Sequence, residues 1–335
     1  MSLEAQLSSA VLSARQKVLN TFVIAIAIVL LVPFLLKMIS NFTAALSQAD
    51  SLSLIFKQVY WYLHQSIKGA PVLVFSLPII FLLQRFFPAV EKQSSFNQAL
   101  ALDALYSVVM LLFYIAVAPS FFDYLKVALS ISEFKLWAVN ASELHYFWQL
   151  LIGYLAVDFL GWLHHLIRHK VPFFWALHAV HHSQQELNPL SNERIHILDW
   201  FVANMIKFIP VLFFTESLGI ILNYIVIHKF LDHLNHANVK TNLGFLRYVF
   251  VTPQSHRVHH SCEKEFFDKN FGVSLSIWDH IFGTQCKNYD VYPATGVPDS
   301  KFPNEQNAES KNILVTFFSQ QAYPFKKIAR YLGDR

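Results

Sequence analysis

Charge is scarce in this chain. Only 14% of its 335 residues are Asp, Glu, Lys or Arg, where a soluble domain carries about 25%. With 54% of residues hydrophobic and 32 phenylalanines, the composition points to a membrane. The net charge is +4 with no basic stripe, which argues against nucleic acid and for anionic lipid headgroups or acidic partners. Cysteine is nearly absent. Cys262 and Cys286 form no C-x-x-C pair, which removes a disulfide framework and a cysteine zinc site. Also missing are a peptidase H-E-x-x-H, a nucleophile elbow, a phosphate loop, a G-x-G-x-x-G and a flavin motif, so hydrolytic and nucleotide chemistries lose their usual markers. No internal repeat or low-complexity tract interrupts the chain.

Long apolar runs are what the chain has instead. Residues 1 to 17 read as an amphipathic helix ending at Arg15 and Lys17, and Val18 to Leu36 is uncharged and long enough to cross a bilayer. It is too long and too late for a cleaved signal peptide. A loop follows, with an interfacial helix near Ile55 to Leu63 whose Tyr60, Trp61 and Tyr62 fit a membrane aromatic belt. Further spans are predicted at Gly69 to Phe87, kinked by Pro71 and Pro78, at Ala104 to Phe122, and at Leu144 to Leu163. Trp200 to Ile227 is broken at Pro210 and at 216–219 into halves too short to span, which predicts a membrane-dipping helical hairpin. The predicted fold is an all-α integral membrane bundle of about four transmembrane spans, the dipping hairpin and a histidine-rich metal-binding cap. Arg15 and Lys17 favour a cytoplasmic N-terminus, and four crossings return the cap to the cytoplasm. The expected division is a transmembrane region at 1–143, a metal-binding domain at 144–286 and a cytoplasmic tail at 287–335 with a short amphipathic stretch near Ile313 to Phe318.

Histidine is the residue in excess. There are 16, and only His64 and His145 precede His164. His165 and His169 are four apart; His178, His181 and His182 form H-x-x-H-H; His233 and His236 follow; His256, His259 and His260 repeat H-x-x-H-H. At i, i+3 and i+4 on a helix, Cβ atoms lie roughly 5–6 Å apart, so imidazoles converge on one ion. A lone histidine is usually a satisfied core residue. Ten on one membrane face would leave many buried nitrogens unpaired, at about 1–3 kcal/mol each, unless metal is bound. One zinc takes about four ligands, so this number suggests two ions, although imidazole alone does not choose among zinc, copper and iron. A redox pair facing lipid suits oxygen attack on an unactivated C–H bond. Asp158, two turns before His165, is expected to orient a ligand imidazole, with Asp232 and Asp279 as weaker candidates. Arg194 has Asp158, Glu193 or a lipid headgroup as candidate partners.

The runs D-x6-H-x3-H (Asp158, His165, His169), H-A-V-H-H-S (His178 to Ser183) and N-E-R (Asn192 to Arg194) resemble the fatty acid hydroxylase / sterol desaturase superfamily. So do H-A-N-V (His236 to Val239), T-P-x-x-H-R-V-H-H (Thr252 to His260) and D-K-N-F-G-V-x-x-x-I-W-D-x-I-F-G-T (Asp268 to Thr284). The resemblance covers about residues 150 to 285. It implies a membrane di-iron oxygenase, with the ten histidines above as ligands or near-ligands, acting on lipid chains, sterols or similar apolar substrates. Where many members have H-x3-H, position 232 is Asp, which leaves Asp232 and His233 as alternatives at the metal.

The expected activity is O2-dependent hydroxylation or desaturation at two iron ions. Electrons would come from a separate donor, such as a small b-type cytochrome, a ferredoxin or a reduced pterin. Within the family, the last two motifs lean toward sterol-desaturase-like and alkylglycerol-monooxygenase-like members. The rivals are a zinc-dependent membrane hydrolase with Glu186 or Glu193 as base, and a metal carrier with ligands strung along a path.

Overall fold

Helix is the only repeating element among the described residues, which in this computed structural model are 71–94, 96–131, 145–204, 218–305 and 312–333. The helices are α1 (Pro71–Phe86), α2 (Gln98–Ile131), α3 (Tyr146–Lys170), α4 (Pro172–His178), α5 (Leu218–His236), α6 (Pro253–His259), α7 (Ile277–Ile281) and α8 (Ile313–Gly333). Residues 197–204 are also helical. Extended chain contributes three isolated bridges, Pro88 to Val239, Phe250 to Leu275 and Ser261 to Thr295.

The ends of these helices follow local chemistry. Asn97 caps α2 by accepting from the Leu100 N–H. Val171 takes an extended conformation ahead of Pro172, as residues before proline do, so α3 stops and α4 starts in a new direction. Thr252 and Ser255 form a reciprocal capping box with Pro253 at the first helical position. These signals fix where the histidines of α3, α4 and α6 begin to turn.

Residues 150–170 of α3 form the one helix among the described residues that is long and apolar enough to cross a membrane. The span expected at Gly69 to Phe87 appears as α1, 16 residues with Pro78 inside. The one expected at Ala104 to Phe122 lies within the 34-residue α2. The amphipathic stretch at 1–17, the run Val18 to Leu36 and the interfacial helix near 55–63 lie outside the described residues. So does the turn of the expected hairpin, residues 205–217; its return limb is α5, which carries His228, His233 and His236 in one unbroken helix.

Described residues beyond 287 pack into the body of the protein. Leu102 and Tyr106 of α2, Ala179 and Val180 after α4, Phe302, and Phe317 and Tyr323 of α8 form one buried cluster. Each large apolar side chain buried this way is worth about 1.5–3 kcal/mol. A second cluster joins Ile80 of α1 to Ala237 and Val239. There Asn238 receives from Val90 N–H, donates to the Val90 carbonyl and offers its own N–H to Gln84, which clasps α1 to the end of α5.

Arg194 is fully buried between these layers. Its guanidinium donates to Asp103 at 2.6 Å and to Glu305 at 2.9 Å, and it pairs with neither Asp158 nor Glu193. Burial opposes its charge, and Asp103 and Glu305 outweigh that cost, raising its pKa. Asp103 also accepts from Asn188 and Ser191.

Candidate metal centre

The histidines come together in two groups. His165, His169, His178, His182 and His259 form one; His181, His236, His256 and His260 form the other; within each, the candidate ligand nitrogens lie within 4.8 Å of one another. Two imidazole nitrogens about 2.1 Å from a shared ion are separated by up to roughly 4.2 Å, so these groups are close to the size of coordination shells and slightly wider. The groups touch each other, with the His182 and His260 rings stacked at 4.3 Å.

Helix geometry does the sorting. His165 and His169 sit one turn apart near the end of α3, and both enter the five-histidine group. On the stretch after α4, His178 and His182 go to that group and His181, between them, to the other. On α6, His259 joins the first group, while His256 and His260, one turn apart, join the second. His236 arrives from the end of α5.

His233 stays outside both groups. Its ring donates to the Pro189 carbonyl at 2.8 Å. Asp232, one turn before His236, accepts from that ring at Nδ1 through its backbone carbonyl at 2.8 Å, with its carboxylate at 3.3 Å. Asp158 touches no imidazole. Its carboxylate accepts from the backbone N–H groups of Ser274 and Leu275 and from the Trp278 indole, and so ties the middle of α3 to the chain before α7.

The donor chemistry fits a cation. His165 Nδ1 is bonded to the Phe271 carbonyl and His259 Nδ1 to the Lys269 carbonyl, both at 2.9 Å. A carbonyl only accepts, so both rings carry their proton on Nδ1. Their Nε2 atoms therefore present lone pairs, and these two lone pairs face each other at 3.0 Å. Without a positive charge between them that contact is repulsive. The Nε2 atoms of His169, His178 and His182 are buried with no partner, which costs about 1–3 kcal/mol each. Burial first, then neighbouring positive and imidazole groups, holds His178, His182, His256 and His260 well below the ordinary histidine range. Burial brings His259 down to about 4. These rings are neutral near pH 7, the state a metal needs.

Residues 150–284 match the family model for fatty acid hydroxylase. This segment is similar to fatty acid hydroxylase domains. The chain is 28% identical over 188 residues to ornithine lipid hydroxylase of Rhizobium tropici, covering 54% of this chain and 52% of that protein. It is 33% identical over 138 residues to human alkylglycerol monooxygenase, covering 41% of this chain and 30% of the relative. Very-long-chain aldehyde decarbonylase of Arabidopsis thaliana matches at 29% over 148 residues, 40% and 23% of the two chains. The matches thus span about half or less of each relative's length. No solved structure matches.

Within the matched segment, three groups that sequence reasoning missed hold the imidazoles from behind. Asp199 accepts from His178 Nδ1 at 3.0 Å and from Arg168 at 2.8 Å, with all three side chains buried or nearly so. The other two are the carbonyls of Lys269 and Phe271 described above. Their loop explains the D-K-N-F-G motif. Asp268 and Asn270 adopt left-handed backbone (φ 59° and 56°), which Asp and Asn tolerate better than most residues. Asn270 donates to the Ser255 carbonyl and accepts from Cys286 N–H. At Gly272 an added Cβ would lie 2.7 Å from the Leu275 oxygen and 2.8 Å from Val251, so no larger residue fits. Asp279 closes the loop by accepting from Phe271 N–H, Gly272 N–H, Trp162 and Thr284. Asp279 was a weak candidate by sequence; its carboxylate reaches His165 through one peptide unit.

Proposed function

We propose that this chain is a multi-pass membrane oxygenase that uses O2 to hydroxylate or desaturate a C–H bond of a lipid or sterol-like substrate. Its metal site would be two iron ions facing the cytoplasm. The observation that carries the reading is the pair of facing Nε2 lone pairs on His165 and His259, 3.0 Å apart with both Nδ1 protons committed elsewhere. One ion would be held by His165, His169, His178, His182 and His259, the other by His181, His236, His256 and His260. Iron bound there supplies oxygen activation, with electrons from a separate donor protein or a reduced pterin.

The chain's own part is to hold and to exclude. Asp199, Asp232 and the carbonyls of Lys269 and Phe271 keep protons on Nδ1 and aim Nε2 inward. Buried Val180, Leu177, Val258 and Phe271 beside the histidines keep bulk water from them. The names of the relatives, a hydroxylase of ornithine lipid and monooxygenases of alkylglycerol, support a lipid substrate with a polar head.

The hydrolase alternative needs a carboxylate base on the ligand side. Glu186 instead accepts from Asn97, and Glu193 pairs with Lys229. Both groups of candidate ligands found among the described residues consist of histidine alone. Metal analysis of the anaerobically purified chain, with turnover assayed with and without oxygen, separates the readings. Two irons per chain and strict oxygen dependence support the oxygenase; zinc alone with oxygen-independent activity overturns it.

A further inference from the structure

The surface beside α3 carries an apolar patch that the metal centre does not use. Residues 244–248 form a short 3-10 helix, entered through left-handed backbone at Leu243 (φ 54°) and Gly244 (φ 57°). That turn pushes Phe245 outward, where it is 79% exposed. Leu246, Tyr248 and Val249 are exposed beside it, and across from them so are Ile281 (66%) and Phe282. Singly exposed apolar residues are ordinary; a contiguous set is a contact surface.

The two segments are built as one unit. Phe250 bridges to Leu275, Ser276 N–H donates to the Val249 carbonyl, and Ser276 Oγ donates to the Arg247 carbonyl. The Tyr248 and His280 rings lie 5.7 Å apart. This unit is fastened to the middle of α3. Asp158 receives the Ser274, Leu275 and Trp278 donors, and Phe282 stacks on Trp162 at 4.6 Å and on Phe159 at 6.0 Å. Those α3 residues belong to the stretch 150–170 that is apolar enough to cross a bilayer. At 1.5 Å per residue they lie about 12–18 Å from Lys170 along the helix. The patch is therefore level with the span and not above it.

Its rim has the make-up of a membrane interface. The Arg247 guanidinium stacks on Tyr248 and Tyr289, 5.2 and 4.3 Å from their centroids, and Lys240 and Lys287 are exposed near it in the chain, as is Asp290. Tyrosine and arginine prefer the headgroup level, with apolar bodies buried and polar tips in water.

We propose that the paired segments Gly244–Val249 and Ile277–Phe282 are inserted in one lipid leaflet beside α3. Acyl chains pack on Phe245, Leu246, Val249, Ile281 and Phe282, and lipid phosphates meet Arg247. Asp158 is then the pin that holds a lipid-inserted turn against the span. This rests on α3 crossing the membrane and is independent of the metal and of the reaction.

The test uses the full chain with Cys262 and Cys286 replaced by serine, reconstituted in phosphatidylcholine/phosphatidylglycerol vesicles. Single spin-labelled cysteines are placed at Phe245→Cys, Ile281→Cys, Ile152→Cys on α3 and, as an aqueous reference, the exposed Glu265→Cys. Collision with oxygen is compared with collision with a water-soluble nickel complex. Labels at 245 and 281 should give an oxygen-to-nickel ratio several-fold above that at 265, close to that at 152. A ratio at 245 and 281 equal to that at 265, with 152 in lipid, overturns the proposal while leaving the membrane reading intact. Nickel access at 152 as well removes the membrane reading itself. Low access to both reagents at 245 and 281 overturns the proposal in favour of a second copy or a protein partner.

Discussion

The two halves of the proposed metal centre are held differently. In the five-histidine group, His165, His178 and His259 are each fixed at Nδ1, by Phe271, Asp199 and Lys269. In the four-histidine group, His236 alone is fixed this way, by Asp232; the Nδ1 atoms of His181, His256 and His260 are buried without a partner among the described residues. An anchored imidazole is oriented before the ion arrives, so binding has little ordering left to do. The unanchored rings must be ordered by the ion itself. The first half is a rigid seat, and the second adapts.

The harshest way to break that contrast is to remove a ligand from each side. His165→Ala and His256→Ala should each abolish turnover. Metal content read by mass spectrometry should fall from two ions per chain toward one, and a variant that keeps both ions would remove its residue from the ligand set. Next in size, Asp279→Ala strands the donors of Phe271, Gly272 and Trp162. Calorimetry of the metal-free protein should show about 3 kcal/mol or more of lost stability, with metal lost first from the five-histidine group. Equal loss from both groups would mean the loop does not single out one side.

Acid tests a histidine that belongs to neither half. His196 donates from Nε2 to the Gln321 carbonyl, and burial lowers its pKa to about 4. Between pH 6.5 and about 4 the unfolded chain takes up this proton and the folded chain does not, so stability is full above pH 6.5 and falls as pH drops through that window. The loss is up to about 3 kcal/mol, and His196→Gln should flatten that part of the unfolding profile. An unchanged profile would show the contribution is absent.

Smaller effects sharpen the contrast. Asp199→Asn should weaken metal binding in the five-histidine group about 10–100-fold, and Asp232→Ala should do less in the other, where the backbone carbonyl still holds His236. Chelator titration followed by spectroscopy should empty the four-histidine group first in the native protein. If Asp199→Asn left that order and both affinities unchanged, the anchoring would have no bearing on affinity.

Much of this was legible in the sequence because it lies in spacing. The helical character, the convergence of nine of the ten histidines and the special place of D-K-N-F-G and I-W-D were all visible as period and motif. The anchors were not. Asp199 is 21 residues from His178, and nothing local marks it as a partner. The Lys269 and Phe271 groups are backbone carbonyls, which every residue has. His233 and His236 looked equivalent by spacing, yet a 60° difference around α5 sends one ring to Pro189 and sets the other above Asp232. Arg194 found Asp103 and Glu305, 91 and 111 residues away, a pairing that no helical period encodes.

That buried arginine sets how the chain can be divided. The family match ends at residues 150 and 284, but Arg194 lies inside it and both of its carboxylates lie outside. A fragment cut at the match would lose both carboxylates and part of the wall that buries the guanidinium; losing one partner of a buried pair typically costs about 3–5 kcal/mol, a large share of a domain's whole stability. The unit inherited as a motif is therefore smaller than the unit that folds. The smallest self-sufficient piece must reach back to α2 and forward to Glu305, so that Arg194 keeps both of its carboxylates.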